Sequence, residues 1–206
     1  MRTQTMIMVI VGTIFLAAVA VLIGLILWLG WLGGIVVGLG ALAILGAVYF
    51  VIIKPWHLRW GATDEEVTMT MPGDDLIPDG TSATRAVTIH AKPDDVWPWL
   101  VQLGYGKAGW YSYDWIDNDF KPSADSIIPE FQQLEPGDKI LMMPTMGFVV
   151  ESVDKPRSIV SVLEDGSTSW CLALYPAPPV GGVRLVSRWR PKFELTLATL
   201  LMTVLA

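Results

Sequence analysis

KILMM at 139–143, FVVESV at 148–153, SIVSVL at 158–163, SWCLALY at 169–175 and VRLVSRW at 183–189 are the segments on which the fold turns. Each is a short run rich in β-branched, aromatic and alternating apolar residues, which is the signature of a strand rather than of a helix. The breaks between them hold Pro144, Asp154-Lys155-Pro156, Glu164-Asp165-Gly166 and the stretch Pro176–Gly182. Gaps this short join antiparallel neighbours, because a parallel crossover needs a dozen residues or more. The five segments therefore predict a meander.

Upstream of the meander, Ala83–His90 (ATRAVTIH) alternates, with Val87 and Ile89 on one face and Thr88 and His90 on the other. It predicts a sixth, half-buried strand. Pro93 then suits the first position of a helix, and Asp94 and Asp95 complement its positive end. Val96, Trp97, Leu100 and Leu103 supply an apolar stripe at helical spacing, which Pro98 should bend. An aromatic segment at 110–120 and a helical turn near 129–134 follow. Downstream, Glu194–Ala206 predicts the opening turns of a closing helix that stops without a cap, as in a truncated chain. Strand, helices, meander and helix together predict an α+β domain: a curved antiparallel sheet covered by helices, with a possible ligand cavity between them.

The first quarter of the chain is a different object. From Thr3 to Ile53 there is no Asp, Glu, Lys, Arg or His. As one helix this stretch would extend about 75 Å, against a hydrocarbon core of about 30 Å. Two transmembrane helices at 6–28 and 34–53 fit, reversing at Leu29–Gly34, with Trp28 and Trp31 suited to the headgroup layer. Domain boundaries follow at 1–55 for this all-α hairpin, 56–80 for an acidic, irregular connector and 81–206 for the sheet domain. Arg2 precedes the first helix, while Lys54, His57 and Arg59 follow the second, and the turn is uncharged. By the positive-inside rule both ends, and the water-facing domain, are expected in the cytoplasm of a cell-membrane protein. Ala18-Val19-Ala20 could satisfy a signal-cleavage rule, but the apolar sequence that continues past it argues against cleavage.

Composition restricts the partners. Hydrophobic residues make up 52% of the 206 and charged residues 17%. Residues 61–206 hold eleven Lys/Arg against twenty Asp/Glu, a net −9. Such a domain repels phosphate backbones, so nucleic acid is not an expected partner; the bilayer and a hydrophobic small molecule are. The single Cys171 excludes an internal disulfide.

Several blocks in sequence resemble the SRPBCC superfamily of START-like, helix-grip domains, and within it the polyketide cyclase/dehydrase-like members. They are WGATDEE at 60–66, ATRAVTI at 83–89, DVWPWLVQ at 95–102, GWYSYDW at 109–115, IPE at 128–130, PGD at 136–138 and RLVSR at 184–188. The resemblance covers roughly 59–192. It implies a helix-grip fold and a cavity for lipid-like or polyketide-like molecules, and only in some members a reaction; it implies no cofactor.

Candidate sites divide by how well the residues support them. Gly104-Tyr105-Gly106-Lys107-Ala108-Gly109 matches a dinucleotide fingerprint literally, but a helix precedes it where a strand is needed. Asp114, Asp117 and Asp119 could suggest a metal, yet a calcium loop from Asp117 would place Pro122 and Ile128 where Gly and Glu belong. No metal is expected. Cys171 and His90 lack an orienting third group. The aromatic run Trp110, Tyr111, Tyr113 and Trp115, with Trp97 and Trp170, is the favoured ligand lining, and ordinary core packing is the equal alternative. Arg184 and Arg188, on one face of the last strand, either meet an acidic head group or pair with surface acids. A cyclase- or dehydratase-type enzyme would draw its acid–base group from Asp114, Tyr111 and Tyr113. A third possibility is a non-catalytic scaffold with no cavity.

Overall fold

The computed structural model describes residues 2–177 and 181–192, without the side chains of 2–8 and 11. The closing helix expected at 194–206 lies outside the described residues. Two compact units emerge, Met1–His57 and Leu58–Ala206.

In the first unit one helical run, α1 (Arg2–Val48), replaces the two helices and six-residue turn expected from sequence. A π-helical turn at Tyr49–Ile53 and α2 (Lys54–Leu58) continue it. Only Gly30 leaves the helical region of α1, at φ 76° and ψ 165°. That conformation is open to glycine and closed to residues with a Cβ. A Cβ placed on Gly34 would fall 2.6 Å from Ile26 Cα, and one on Gly38 would fall 3.0 Å from Leu22 Cδ1. Along a straight helix those pairs would stand about 12 and 24 Å apart. The run is therefore bent back at a single residue, and its two limbs touch. No separate turn is needed, which is why the boundaries expected at 28 and 34 do not appear. By length and composition the run is able to cross a membrane.

The second unit is built on six antiparallel strands: β1 (Ala83–Ile89), β2 (Lys139–Met143), β3 (Met146–Asp154), β4 (Ser158–Leu163), β5 (Thr168–Pro176) and β6 (Val183–Pro191). Their order across the sheet is β1-β6-β5-β4-β3-β2. The meander thus runs consecutively from β2 to β6, and β1 closes beside β6. Register shifts at Leu141/Met143 and Val150/Ser152 bend the β2–β4 end. The period-two reading of the sequence had placed every strand within two residues of its bounds.

One face of the sheet carries Ile140, Phe148, Val150, Ile159, Trp170 and Leu172, all buried against Val96, Trp97 and Leu100 of α4 (Pro93–Val101). Pro93 opens α4, and Pro98 lies inside it. The opposite face carries Val160, Cys171, Ala173 and Val186. Its cover was not foreseen. The segment read as an irregular connector holds α3 (Asp64–Thr68), started by a capping box in which Thr63 and Glu66 bond each other's backbone N–H. It then lays Met69 and Met71 on the outer apolar patch, with Met71 fully buried. We call residues 61–80 the strap.

Candidate functional site

Three arginines on the outer face of β6 hold the strap, and they show how its chain path is decided. Arg188 is only 2% exposed. Its Nε donates to Thr84 Oγ1 (3.0 Å), Nη1 to Met69 O and Asp74 Oδ2 (both 2.7 Å), and Nη2 to Glu66 O (2.6 Å) and Val67 O (3.1 Å). Five acceptors meet the five donors a guanidinium possesses. Arg184 pairs with Glu66 at 2.6 Å and also donates to Thr88 and to the carbonyl of Gly61. Hydrogen bonding to Arg184 holds the Glu66 carboxyl below the usual carboxylate range. Arg190 donates to Ile77 O, Pro78 O and Ser82 Oγ. Of the two readings open for Arg184 and Arg188, the structure places them with acids and carbonyls of their own chain. Arg188 has no donor left for a head group, and it lies on the face opposite Trp97 and Trp170.

Cys171 is buried under the same strap. Burial, reinforced by the nearby Asp74 carboxylate and only partly offset by Arg188, pushes its thiol up to about 12. It is an inert apolar filler at neutral pH, whereas His90, beyond the end of β1, is exposed.

The inner face is aromatic. Phe148 is fully buried, with Trp170 and Trp189 at centroid separations of 5.4 and 5.0 Å; Trp170 lies 5.6 Å from Trp189 and 5.8 Å from Trp110. Trp170 Nε1 donates to Ser187 Oγ at 3.0 Å, so the indole N–H is satisfied inside the wall. Trp97 and Trp110, two of the aromatics expected to line a cavity, join this cluster or pack against it. At the β1–β6 edge the burial fails. Thr84 and Thr88 face the strap arginines, so alternation turns Arg85, Val87 and Ile89 to the inner side. There Val87 is 52% exposed opposite Leu185, and Arg85 stands opposite Ser187. An apolar residue half in water beside Leu185 marks an edge that, among the described residues, no side chain covers.

The rest of the aromatic run goes elsewhere. Tyr111 meets Trp99 edge-on at 5.7 Å, and its hydroxyl accepts from Gln102 Nε2 at 2.5 Å. Gln102, fully buried, also donates to Ser126 O and accepts from Ile128 N and Gln132 Nε2. That hub, absent from any reading of the sequence, is what orders the loop after α4. Asp114 accepts from Ser123 Oγ (2.6 Å) and Ser123 N (3.1 Å). Tyr113 and Trp115 lie side by side at 6.4 Å, with Tyr113 67% exposed. Asp114, Tyr111 and Tyr113, the acid–base candidates, are thus spent on loop structure or turned outward. The glycine-rich stretch at 104–109 is a tight turn closed by a Gly104–Gly109 bridge.

Two surface grooves are present among the described residues. One, of about 530 Å³, is lined by His90, Lys92, Asp95 and Gly182 among others. The second, of about 330 Å³, has Trp97 and Val101 as its floor and Gln132, Glu135 and Lys155 on its rim. Neither opens onto the Phe148–Trp170–Trp189 cluster.

No protein-family model matches the chain, and no curated protein matches it. Solved structures of similar shape include the Polyketide_cyc-like protein Cgl2372 of Corynebacterium glutamicum, with 14% identity over 56% of this chain and 68% of that one at a TM-score of 0.34. CalU16 of Micromonospora echinospora gives 16% identity, 61% and 72% coverage and a TM-score of 0.34. An AHSA1-like protein of Aeromonas hydrophila gives 14%, 61% and 87%, and 0.32. Likenesses this weak leave the fold resting on the sheet topology itself: an antiparallel six-stranded α+β domain with an aromatic inner face.

Proposed function

We propose that the chain is a membrane-anchored domain of helix-grip type that binds an apolar or amphipathic small molecule on the inner face of its sheet. The observation that carries this reading is Val87, half exposed on the inner face where its neighbours Ile89 and Leu185 are also only partly buried. Leu185 stands opposite it, Ser187 and Arg85 bring polar groups one pair further along the same face, and Trp189 with Trp170 begins the aromatic wall beyond them. Burying about 300 Å² of ligand there yields roughly 7.5 kcal/mol before an association cost of at least about 4 kcal/mol, so burial alone accounts for binding of roughly millimolar strength, and tighter binding needs a larger contact or added polar contacts. Native mass spectrometry of the full chain released from detergent micelles should reveal a bound apolar species. Val87→Trp, which fills the edge, should expel it. A chain that stays empty across fatty acids, sterols and polyketide-like aromatics refutes the reading.

The anchor belongs to the same proposal. The reversal at Gly30 and the contacts of Gly34 with Ile26 and Gly38 with Leu22 support two passes from one helical run. Lys54, His57 and Arg59 after the second limb favour a cytoplasmic domain. Trp31→Cys should then react with a membrane-impermeant maleimide added outside intact cells. The native thiol gives no background, because Cys171 is buried. Labelling of Trp31→Cys only after lysis reverses the orientation.

A further inference from the structure

The loop from Tyr113 to Phe120 exposes three large apolar side chains within eight residues. Tyr113 is 67% exposed, Ile116 45% and Phe120 46%. They are held together: Ile116 N–H donates to Tyr113 O at 2.7 Å, Phe120 N–H to Asp114 O at 2.8 Å, and the Tyr113 and Trp115 rings lie 6.4 Å apart. The segment is α5 (Asp114–Asp117) and its exit.

The backbone invests in this arrangement. Phe120 sits at φ 63° and Asp119 before it at φ 50°. The left-handed region is unfavourable for a bulky side chain and is retained only where its surroundings impose it. Here Tyr105 Oη donates to Asp119 Oδ2 at 2.8 Å and Asn118 Nδ2 to Lys121 O at 2.7 Å, fixing the turn on both sides of Phe120. A strained turn that leaves nearly half of a phenyl ring in water uses that ring only in part within the chain. It has a use if the ring meets an apolar phase.

We infer that this loop docks on the headgroup–acyl boundary of a phospholipid bilayer, Tyr113, Trp115, Ile116 and Phe120 being the side chains that enter. The inference rests on the membrane-anchored reading above. Residues Lys54–Thr63 between the apolar run and α3 reach at most about 35 Å even if fully extended, so the loop meets lipid at high effective concentration. Tyr and Trp with Ile and Phe is the composition of an interfacial belt. Asp114, Asp117 and Asp119 border the patch, so the lipid it fits is zwitterionic, not anionic.

The test uses the full chain in phosphatidylcholine liposomes carrying a nitroxide-labelled lipid. An environment-sensitive fluorophore is attached at Tyr113→Cys and, separately, at Phe120→Cys. A label at Val36→Cys, exposed on α1, reports the anchor, and one at the exposed Glu151→Cys of β3 reports the opposite case. The expected result is a blue shift and a loss of emission at 113 and 120 comparable to that at 36, with none at 151. Adding anionic lipid should reduce the loss at 113 and 120. If 36 is quenched while 113 and 120 respond only to aqueous iodide, the loop proposal falls and the anchor stands. If the label at 36 escapes as well, both fall. A blue shift at 113 that depends on protein concentration and ignores the nitroxide lipid assigns the patch to a second copy of the chain and overturns the proposal.

Discussion

Arg188→Met should strip the strap from the sheet and cost about 3–5 kcal/mol, the range for removing one partner of a buried ion pair. Methionine fills much of the space, so the loss is not one of volume. What it leaves behind is the Asp74 carboxylate, three backbone carbonyls and Thr84 Oγ1, all facing a side chain with no donor. Asp74 keeps the Met71 N–H at 2.9 Å and an ion pair with Arg190 at 3.8 Å, too long for a hydrogen bond, so the loss should fall toward the lower end of that range. Arg188→Lys keeps the charge but brings three donors to a place that engages five, so an intermediate loss is expected. Cys171 reads the outcome directly. Buried beneath Met71 in the parent, its thiol should resist an aqueous disulfide reagent; in Arg188→Met it should react without denaturant. A methionine variant with a protected thiol and unchanged urea midpoint would mean that Met69 and Met71 hold the strap alone.

Phe148→Ala should cost a similar 3–5 kcal/mol, by a different route. Phe148 is wholly buried and touches the rings of Trp170 and Trp189 at once. Alanine there opens a cavity in the middle of the aromatic wall, and the neighbouring rings lose contact as well as area. For a chain of this size the melting temperature should fall by about 6–20 °C, taking 2–4 °C per kcal/mol. Phe148→Leu, which keeps most of the volume, should cost under about 1.5 kcal/mol. Near-ultraviolet circular dichroism of the full chain in detergent follows both variants. If the alanine variant melts with the parent, the wall is looser than its ring separations indicate.

These two residues also divide what was legible from what was not. Phe148 belongs to a strand that its period announced, and its burial follows from the pattern around it. Arg188 sits in an equally legible strand, yet its partners lie more than a hundred positions upstream, all but Thr84 in a segment with no sustained period. Nothing local distinguishes an arginine that meets a ligand from one that grips its own chain. The same holds for Gln102, whose four partners come from the loop at 111–132. The aromatic run at 110–115 was correctly noticed and wrongly treated as one surface: Trp110 turns inward to Trp170, Tyr111 docks on Trp99 and Tyr113 turns to solvent. Left-handed backbone at Tyr111, φ 54°, redirects the chain inside the run, and nothing local in the sequence marks it.

Read by itself, the sequence determined the six strands, their antiparallel meander, the helix at Pro93 and an uncharged N-terminal run of helical character. Each is encoded by side-chain period, turn residues or charge within a few positions, which is the range over which backbone geometry acts. Tertiary structure alone decided that the acidic stretch is a strap, that the β6 arginines are its clamp, and that the reversal expected at 29–34 takes one non-helical residue, Gly30, in place of a loop. Those outcomes depend on which donors, acceptors and surfaces meet once the chain has folded, and residues distant in sequence carry no local mark of the partner they will find.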